Sequence, residues 1–195
     1  MAGGWRRWDA EAIDRTLVPG ILAGMAAATA MGLFAMIAAG TYQQRGFYTP
    51  LYLIASLLGD NTVVRSLQEA ARGNPLYFVP EPVFFGAGLH LMVGAFFGAV
   101  FVLVARPARS RLISILTGVV YALLVMLAMI FVLVPVADAL LGSAKRLPDL
   151  ARRSGWWTFI LQHVIYGAVL GWWPWLWPAE ARRPPPSPSA ERRGK

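Results

Sequence analysis

The sequence predicts an all-α polytopic membrane protein, a bundle of four transmembrane helices. Hydrophobic residues make up 57% of the 195 residues and charged residues only 14%, which is not typical of a water-soluble domain. Four apolar runs, residues 17–40, 83–105, 112–136 and 157–178, each reach the ~20 residues that a helix needs to cross a bilayer. Small residues recur at a spacing of four within these runs, as in membrane helices that pack closely.

Residues 1–16 and the first run form the predicted start of the bundle. Residues 1–16 combine two tryptophans with arginines and acidic residues, so we expect an amphipathic cytoplasmic lead-in at headgroup level. Pro19 is expected in the first turn of the first span, where its missing N–H costs nothing. The small residues of this span predict close packing. They are Gly20, Gly24, Ala28 and Gly32.

The longest predicted loop, residues 41–82, contains two short helical signals. The apolar stretch 51–58 is too short to span a bilayer and predicts an interfacial or re-entrant helix. The run 62–72, after Asp60 and Asn61, predicts a second surface helix. We expect this loop and the third loop to cap the outer mouth of the bundle.

The later spans are predicted from turns and aromatic clusters. The basic turn 106–111 predicts that the second and third spans form an antiparallel hairpin. The third span, with no continuous row of small residues, is expected to face lipid and to end at Pro135. Tryptophans at both ends of the fourth span predict aromatic belts. Residues 179–195 predict a disordered, basic, proline-rich tail.

Two spans share a motif that contains both histidines of the chain. The second span carries Gly86-x3-His90-x3-Gly94-x3-Gly98, and the fourth carries Phe159-x3-His163-x3-Gly167-x3-Gly171. A Leu-Leu-Gly element precedes each motif. This pattern predicts a degenerate tandem repeat of a two-helix unit, in which both histidine helices run in the same direction.

The net charge of +8 is interpreted as a topology signal. The N-terminal segment, the turn 106–111 and the C-terminal tail carry eleven of the 18 basic residues, and the two longer loops carry seven. This bias predicts that both termini lie in the cytoplasm. The basic residues then face anionic lipid headgroups, and no nucleic-acid partner is expected.

The histidines at positions 90 and 163 admit three interpretations. Each neutral imidazole could hydrogen-bond the backbone of another helix or a nearby polar side chain, as a structural lock. The pair could instead ligate haem b, with Gly94, Gly98, Gly167 and Gly171 clearing room for the porphyrin. A proton or cation pathway is the third interpretation, although no acidic or basic side chain within a span continues it. Two histidines alone leave a zinc or copper site half empty, so no metal is expected.

The chain shows no catalytic motif. It has no Gly-x-Ser-x-Gly elbow, no phosphate-binding loop, no His-Glu-x-x-His and no cysteine. We therefore predict a non-enzymatic accessory or structural subunit that lies in the lipid bilayer, as a homo-oligomer or within a larger membrane complex. A haem-binding electron-transfer or sensing subunit is the alternative, and an oligomeric small-solute or proton transporter is the weaker one.

The order of these elements resembles that of small bacterial four-helix inner-membrane proteins, the YagU-like group. The resemblance covers about residues 17–175 and implies an inner-membrane four-helix protein, without implying an activity. The elements that carry it are the small-residue first span, Thr49-Pro50 before a Leu-Leu-Gly turn, His90 with Gly94 and Gly98, the third span with Pro135, and His163 with Tyr166, Gly167 and Gly171.

Overall fold

A computed structural model describes residues 10–56, 61–105, 110–141 and 155–173, which form helices and connecting turns without any strand. The predicted all-α class is confirmed for this part of the chain. The helices are α1 (Ala10–Gly40), α2 (Thr49–Ala55), α3 (Thr62–Ala71), α4 (Pro80–Val104), α5 (Arg111–Ala128), α6 (Val134–Leu141) and α7 (Trp156–Trp172). A π-helical stretch, Met129–Leu133, joins α5 to α6.

Three stretches are long and apolar enough to cross a membrane: Leu17–Gly40, Pro80–Val104 and Arg111–Leu133. They coincide with the first three predicted spans to within three residues at each end. Helix α7, of 17 residues, begins one residue before the predicted fourth span and covers that span as far as Trp172. Residues 174–178 of that span lie outside the described residues, as do residues 1–9 of the lead-in and the tail 179–195.

The long helices pack as two pairs, α1 with α4 and α5 with α7, and α1 also packs against α7. Each of these three contacts is antiparallel, so α4 and α7 run in the same direction.

The hairpin expected from α4 and α5 is only loosely packed. The ring of Tyr121 lies 5.1 Å from that of Phe101, and its Oη donates a 2.8 Å hydrogen bond to the Phe97 carbonyl. The small-residue faces of α4 and α5 are turned towards α1 and α7 instead.

Two prolines lie inside helices, contrary to expectation. Helix α1 begins at Ala10, so Pro19 is its tenth residue rather than part of its first turn. The helix that was expected to end at Pro135 continues through α6 to Leu141. A proline lacks an N–H and crowds the carbonyl four residues earlier. The π-helical stretch Met129–Leu133 contains that earlier residue, and its wider turn accommodates the proline within a continuous helix.

The two short helices expected in the first loop are present in the region that we call the cap, residues 41–56 and 61–79. Helix α2 packs against α4, α3 and α1. A side chain at Gly86 of α4 would collide with the Leu51 carbonyl of α2. Five of the seven α2 residues are buried, so α2 is enclosed by protein on most of its surface. This burial is typical of a re-entrant element that packs inside the fold.

Tyr52 ties the cap to the start of α4. Its side chain is fully buried, and its hydroxyl makes two hydrogen bonds with the segment that leads into α4. It accepts from the Val79 N–H at 2.8 Å and donates to the Tyr77 carbonyl at 3.1 Å. Because buried backbone groups need partners, this hydroxyl fixes the path of the chain between α3 and α4.

Candidate functional site

Helices α1 and α4 approach each other through residues that have little or no side chain. A Cβ atom built on Gly24 would overlap the Gly94 carbonyl, and one built on Gly94 would overlap the Cβ of Ala28. A Cβ on Gly98 would lie 2.6 Å from the Gly24 Cα. The two backbones are therefore in direct contact, and only glycine fits at these positions without a shift. We call this contact the first seam.

Helices α5 and α7 meet in the same manner, at the second seam. A Cβ built on Gly118 would overlap the Gly167 carbonyl, and one built on Gly171 would lie 2.8 Å from the Ile115 Cα. Ser114 Oγ donates a 2.7 Å hydrogen bond to the Gly171 carbonyl across the seam.

The second seam corrects the sequence-based expectation for the third span. The expected absence of a row of small residues is wrong, whereas the expected lipid-facing character fits the opposite face, which is largely exposed. Ser114, Gly118 and Ala122 lie at a spacing of four and are all buried. This spacing of small residues is present in the sequence, but it is a weak signal for close packing because serine and alanine occupy two of the three positions. The opposite face of α5 exposes large apolar side chains, including Leu116, Val120 and Leu124.

His90 extends the first seam by a hydrogen bond. Its Nε2–H donates to the Ala28 carbonyl of α1 at 2.9 Å. The imidazole lies over Gly32, where a Cβ would be 3.2 Å from Nε2 and 3.3 Å from Cδ2. The ring therefore reaches the backbone of α1 because position 32 has no side chain. This contact is a bond to the backbone of another helix, as the structural interpretation requires.

His163 uses a different partner. Its side chain is buried, and its Nδ1–H donates to the Phe159 carbonyl of its own helix at 2.8 Å. The ring packs against that of Phe159, with centroids 4.7 Å apart. Among the described residues, the bond to the backbone of another helix that the structural interpretation offers is made by His90, whereas His163 bonds to its own helix.

The two histidines lie at the same level of the bundle. Tyr166 Oη of α7 donates a 2.8 Å hydrogen bond to the Gly94 carbonyl of α4. His90 lies about one turn before Gly94 and His163 about one turn before Tyr166, and the two helices run in the same direction. The structure thus brings together the two residues that the sequence singled out.

The glycines of both motifs are occupied by helix packing. Gly94 and Gly98 contact α1, and Gly167 and Gly171 contact α5, so the faces that would have cleared room for a porphyrin are filled by backbone. No cluster of three or more histidine, aspartate or glutamate side chains that could hold a metal ion occurs in the described ranges. The arrangement around the histidines holds helices together.

A second polar cluster joins the ends of α1 and α7. Thr158 Oγ1 accepts a 2.9 Å hydrogen bond from Gln43 Nε2 and makes a 2.7 Å hydrogen bond with Tyr42 Oη. These bonds place the start of α7 beside the end of α1, at the same end of the bundle as the cap.

No protein-family model matches the chain, and no curated protein or solved structure shows significant similarity to it.

Proposed function

We propose that the chain is a four-span, non-catalytic subunit of the bacterial inner membrane that serves an accessory or structural role in an assembly. The observation that carries this proposal is that both histidine motifs lie in helix packing. Gly94 and Gly98 close on α1, Gly167 and Gly171 close on α5, and His90 binds a backbone carbonyl. An interior filled in this way stabilises a fixed arrangement of helices rather than a path for a substrate.

The two seams support descent from one two-helix unit. Gly24 meets Gly94 in the first seam as Gly118 meets Gly167 in the second. The equivalent pairs are Gly20 and Ser114, Gly24 and Gly118, Ala28 and Ala122, His90 and His163, Gly94 and Gly167, and Gly98 and Gly171.

This equivalence explains why the two histidines bind different carbonyls. The counterpart of Gly32 is Met126, which is buried against Phe159. In the second seam, the Met126 side chain takes the space that corresponds to the one occupied by the His90 ring over Gly32 in the first seam. His163 is thereby kept from the α5 backbone and turns to its own helix.

Helix α7 is the proposed fourth span. It is antiparallel to α1 and α5, its 17 described residues are almost entirely apolar, and the apolar run of the sequence continues to residue 178. Trp157 at its start is 85% exposed, which suits a side chain at the membrane interface. An even number of spans places both termini on one side, and the distribution of basic residues favours the cytoplasm.

The test is the size of the protein in its native membrane. Membranes from the native host are extracted with a mild detergent and resolved by native electrophoresis, with the chain detected by a C-terminal tag. We expect the chain in a species clearly larger than one 21.3 kDa copy with its bound detergent. A single copy, recovered under conditions that keep known complexes of the same membrane intact, would contradict the proposal.

A further inference from the structure

A cavity of about 310 Å³ lies where the end of α1 meets the cap. This volume is at the lower limit of pockets that bind small molecules. Most of the wall is apolar, and the polar lining is concentrated at Gln43, Arg45 and Thr49. The apolar lining residues are Ala39, Pro50, Leu53, Val63 and Leu67. Because these residues come from α1, α2 and α3, the cavity is a product of the fold and not of a single loop.

Arg45 is the charged group of this cavity. Its side chain is partly buried, and within the described ranges its guanidinium makes no ion pair. The other arginines of the cap do have partners. Arg72 pairs with Glu69 at 3.1 Å, and the Arg65 guanidinium lies 5.3 Å from the centre of the Tyr77 ring. A partly buried guanidinium favours an anion, and its planar fork matches a phosphate or a carboxylate.

The backbone of Arg45 is held in place. Its N–H donates a 2.9 Å hydrogen bond to the Ala39 carbonyl, and its carbonyl accepts a hydrogen bond from Thr49 Oγ1. Thr49 Oγ1 in turn lies 2.9 Å from Ser66 Oγ of α3. These bonds join α1, α2 and α3 around the position, so the backbone that carries the charged side chain is held in a fixed frame.

The position of the cavity indicates the source of the anion. Arg45 lies five residues beyond the end of the Leu17–Gly40 stretch and two residues after Gln43, which hydrogen-bonds Thr158 at the start of α7. This is the level of the lipid headgroups in a membrane-inserted chain. An apolar chamber with one positive charge at that level is complementary to a molecule that has an anionic head and an acyl chain.

We propose that this cavity binds an anionic membrane phospholipid, with Arg45 contacting the phosphodiester and the apolar wall enclosing the first carbons of an acyl chain. The volume is too small for a whole lipid, so the remainder of the chains lies along the outer surface of the bundle. The proposal rests on insertion in a membrane and not on the accessory role, so the experiment on assembly size leaves it unaffected.

The test is native mass spectrometry of the full chain, purified in mild detergent and titrated separately with phosphatidylglycerol, phosphatidylcholine and oleate. We expect one phosphatidylglycerol per chain at concentrations where phosphatidylcholine and oleate do not bind. Arg45→Gln should weaken this binding about tenfold, as expected for loss of a charge-assisted hydrogen-bonded pair. Arg72→Gln, in an exposed ion pair of the cap, is the matched control and should bind as the unmodified chain does.

Leu67→Trp provides a second, independent variant. Leu67 lines the cavity but is 37% exposed, so a larger side chain there fills the chamber without entering the core. It should weaken phosphatidylglycerol binding while Arg45 is retained, and the melting temperature shows that the chain is still folded. Binding that is the same in Arg45→Gln and Leu67→Trp as in the unmodified chain would overturn the proposal. Preferential binding of oleate would overturn the phospholipid assignment in favour of a carboxylate.

Discussion

His90 and Ala28 lie 62 positions apart in the sequence, and a 2.9 Å hydrogen bond joins the imidazole Nε2 of one to the carbonyl oxygen of the other. The bond crosses from α4 to α1 next to the contact of Gly94 with Gly24. A polar side chain in an apolar environment is satisfied by a backbone acceptor, at a typical stabilisation of about 0.6 kcal/mol for such bonds in membrane proteins. The seam sets the distance between the helices, and the histidine fixes their register.

The first prediction concerns Gly32, which admits the His90 ring. Alanine is favoured over glycine within a helix by about 1 kcal/mol. At Gly88, where no neighbouring atom lies within 4 Å, Gly88→Ala should therefore be neutral or stabilising. At Gly32 the new methyl group would lie 3.2 Å from His90 Nε2, so Gly32→Ala should give a less stable protein than Gly88→Ala, by about 1 kcal/mol. The measurement is the free energy of unfolding in mild detergent.

A double-mutant cycle identifies the cause. If the methyl group acts by displacing the imidazole, Gly32→Ala should lose its unfavourable effect when His90→Ala is also present. An equal penalty with and without the histidine would show that position 32 acts through some other neighbour.

The second prediction compares the two seams. Gly24→Ala and Gly118→Ala both place a methyl group against a glycine carbonyl of the partner helix, so each should destabilise the protein by about 1–3 kcal/mol through forced separation of the helices. The two changes lie in different helix pairs, so their effects should add to within about 0.5 kcal/mol. Gly88→Ala is again the control. A seam whose glycine tolerates alanine at no cost would not be a backbone contact.

The sequence predicted the composition of the seams better than their pairing. The spacing of Gly20, Gly24 and Ala28 identified a packing face on the first span because glycine at a spacing of four is a strong signal. The face of α5 was missed because serine and alanine are common on any helix. Which faces meet is decided by the fit of whole helices, and local spacing carries no information about it. For this reason α4 was expected beside α5 and packs chiefly against α1.

The histidines show the same limit of sequence reasoning. The shared motif placed His90 and His163 together, and the structure does bring them to one level. Their different hydrogen bonds could not be predicted from the motif, because the bond of His90 depends on a residue of another helix, Gly32, over which its ring lies. The interpretation of Pro135 failed for a related reason. Proline is a poor helix residue in general, and a local π-helical turn restores the helix around it.

The third prediction concerns the hydroxyl of Tyr52. Tyr52→Phe removes the partner of the Val79 N–H and of the Tyr77 carbonyl while it preserves the packing of the ring. Because the Tyr52 side chain is fully buried, loss of its hydroxyl and of these two bonds should cost about 1–3 kcal/mol. Tyr48→Phe, in which no hydroxyl hydrogen bond of the described residues is lost, is the control. We expect faster proteolysis of the cap in Tyr52→Phe only. Equal rates for the two variants would contradict a role for the hydroxyl.

The fourth prediction concerns haem. Since the glycines of both motifs face neighbouring helices, protein purified in mild detergent from cells supplied with haem precursor should be colourless, before and after reduction with dithionite. The measurement is the visible absorption spectrum of a sample with a cooperative thermal transition. A reduced-state α band that disappears in both His90→Ala and His163→Ala would instead establish the bis-histidine alternative.

The fifth prediction concerns topology, and the absence of cysteine from the chain makes it simple to test. Single cysteines are introduced at Ala2, at Gln68 on the exposed side of α3 and at Gly194, and bacterial cells with a permeabilised outer membrane are treated with a membrane-impermeant maleimide. A four-span chain with cytoplasmic termini should be labelled at Gln68→Cys in cells whose inner membrane is intact. Ala2→Cys and Gly194→Cys should be labelled only after the inner membrane is broken.

Labelling of one terminus but not the other would require an odd number of spans, which would remove α7 as the fourth. Labelling of both termini in intact cells, with no labelling of Gln68→Cys in the cap, would keep the four spans and reverse their orientation. The number of spans and the side of the membrane on which the first one begins are independent properties.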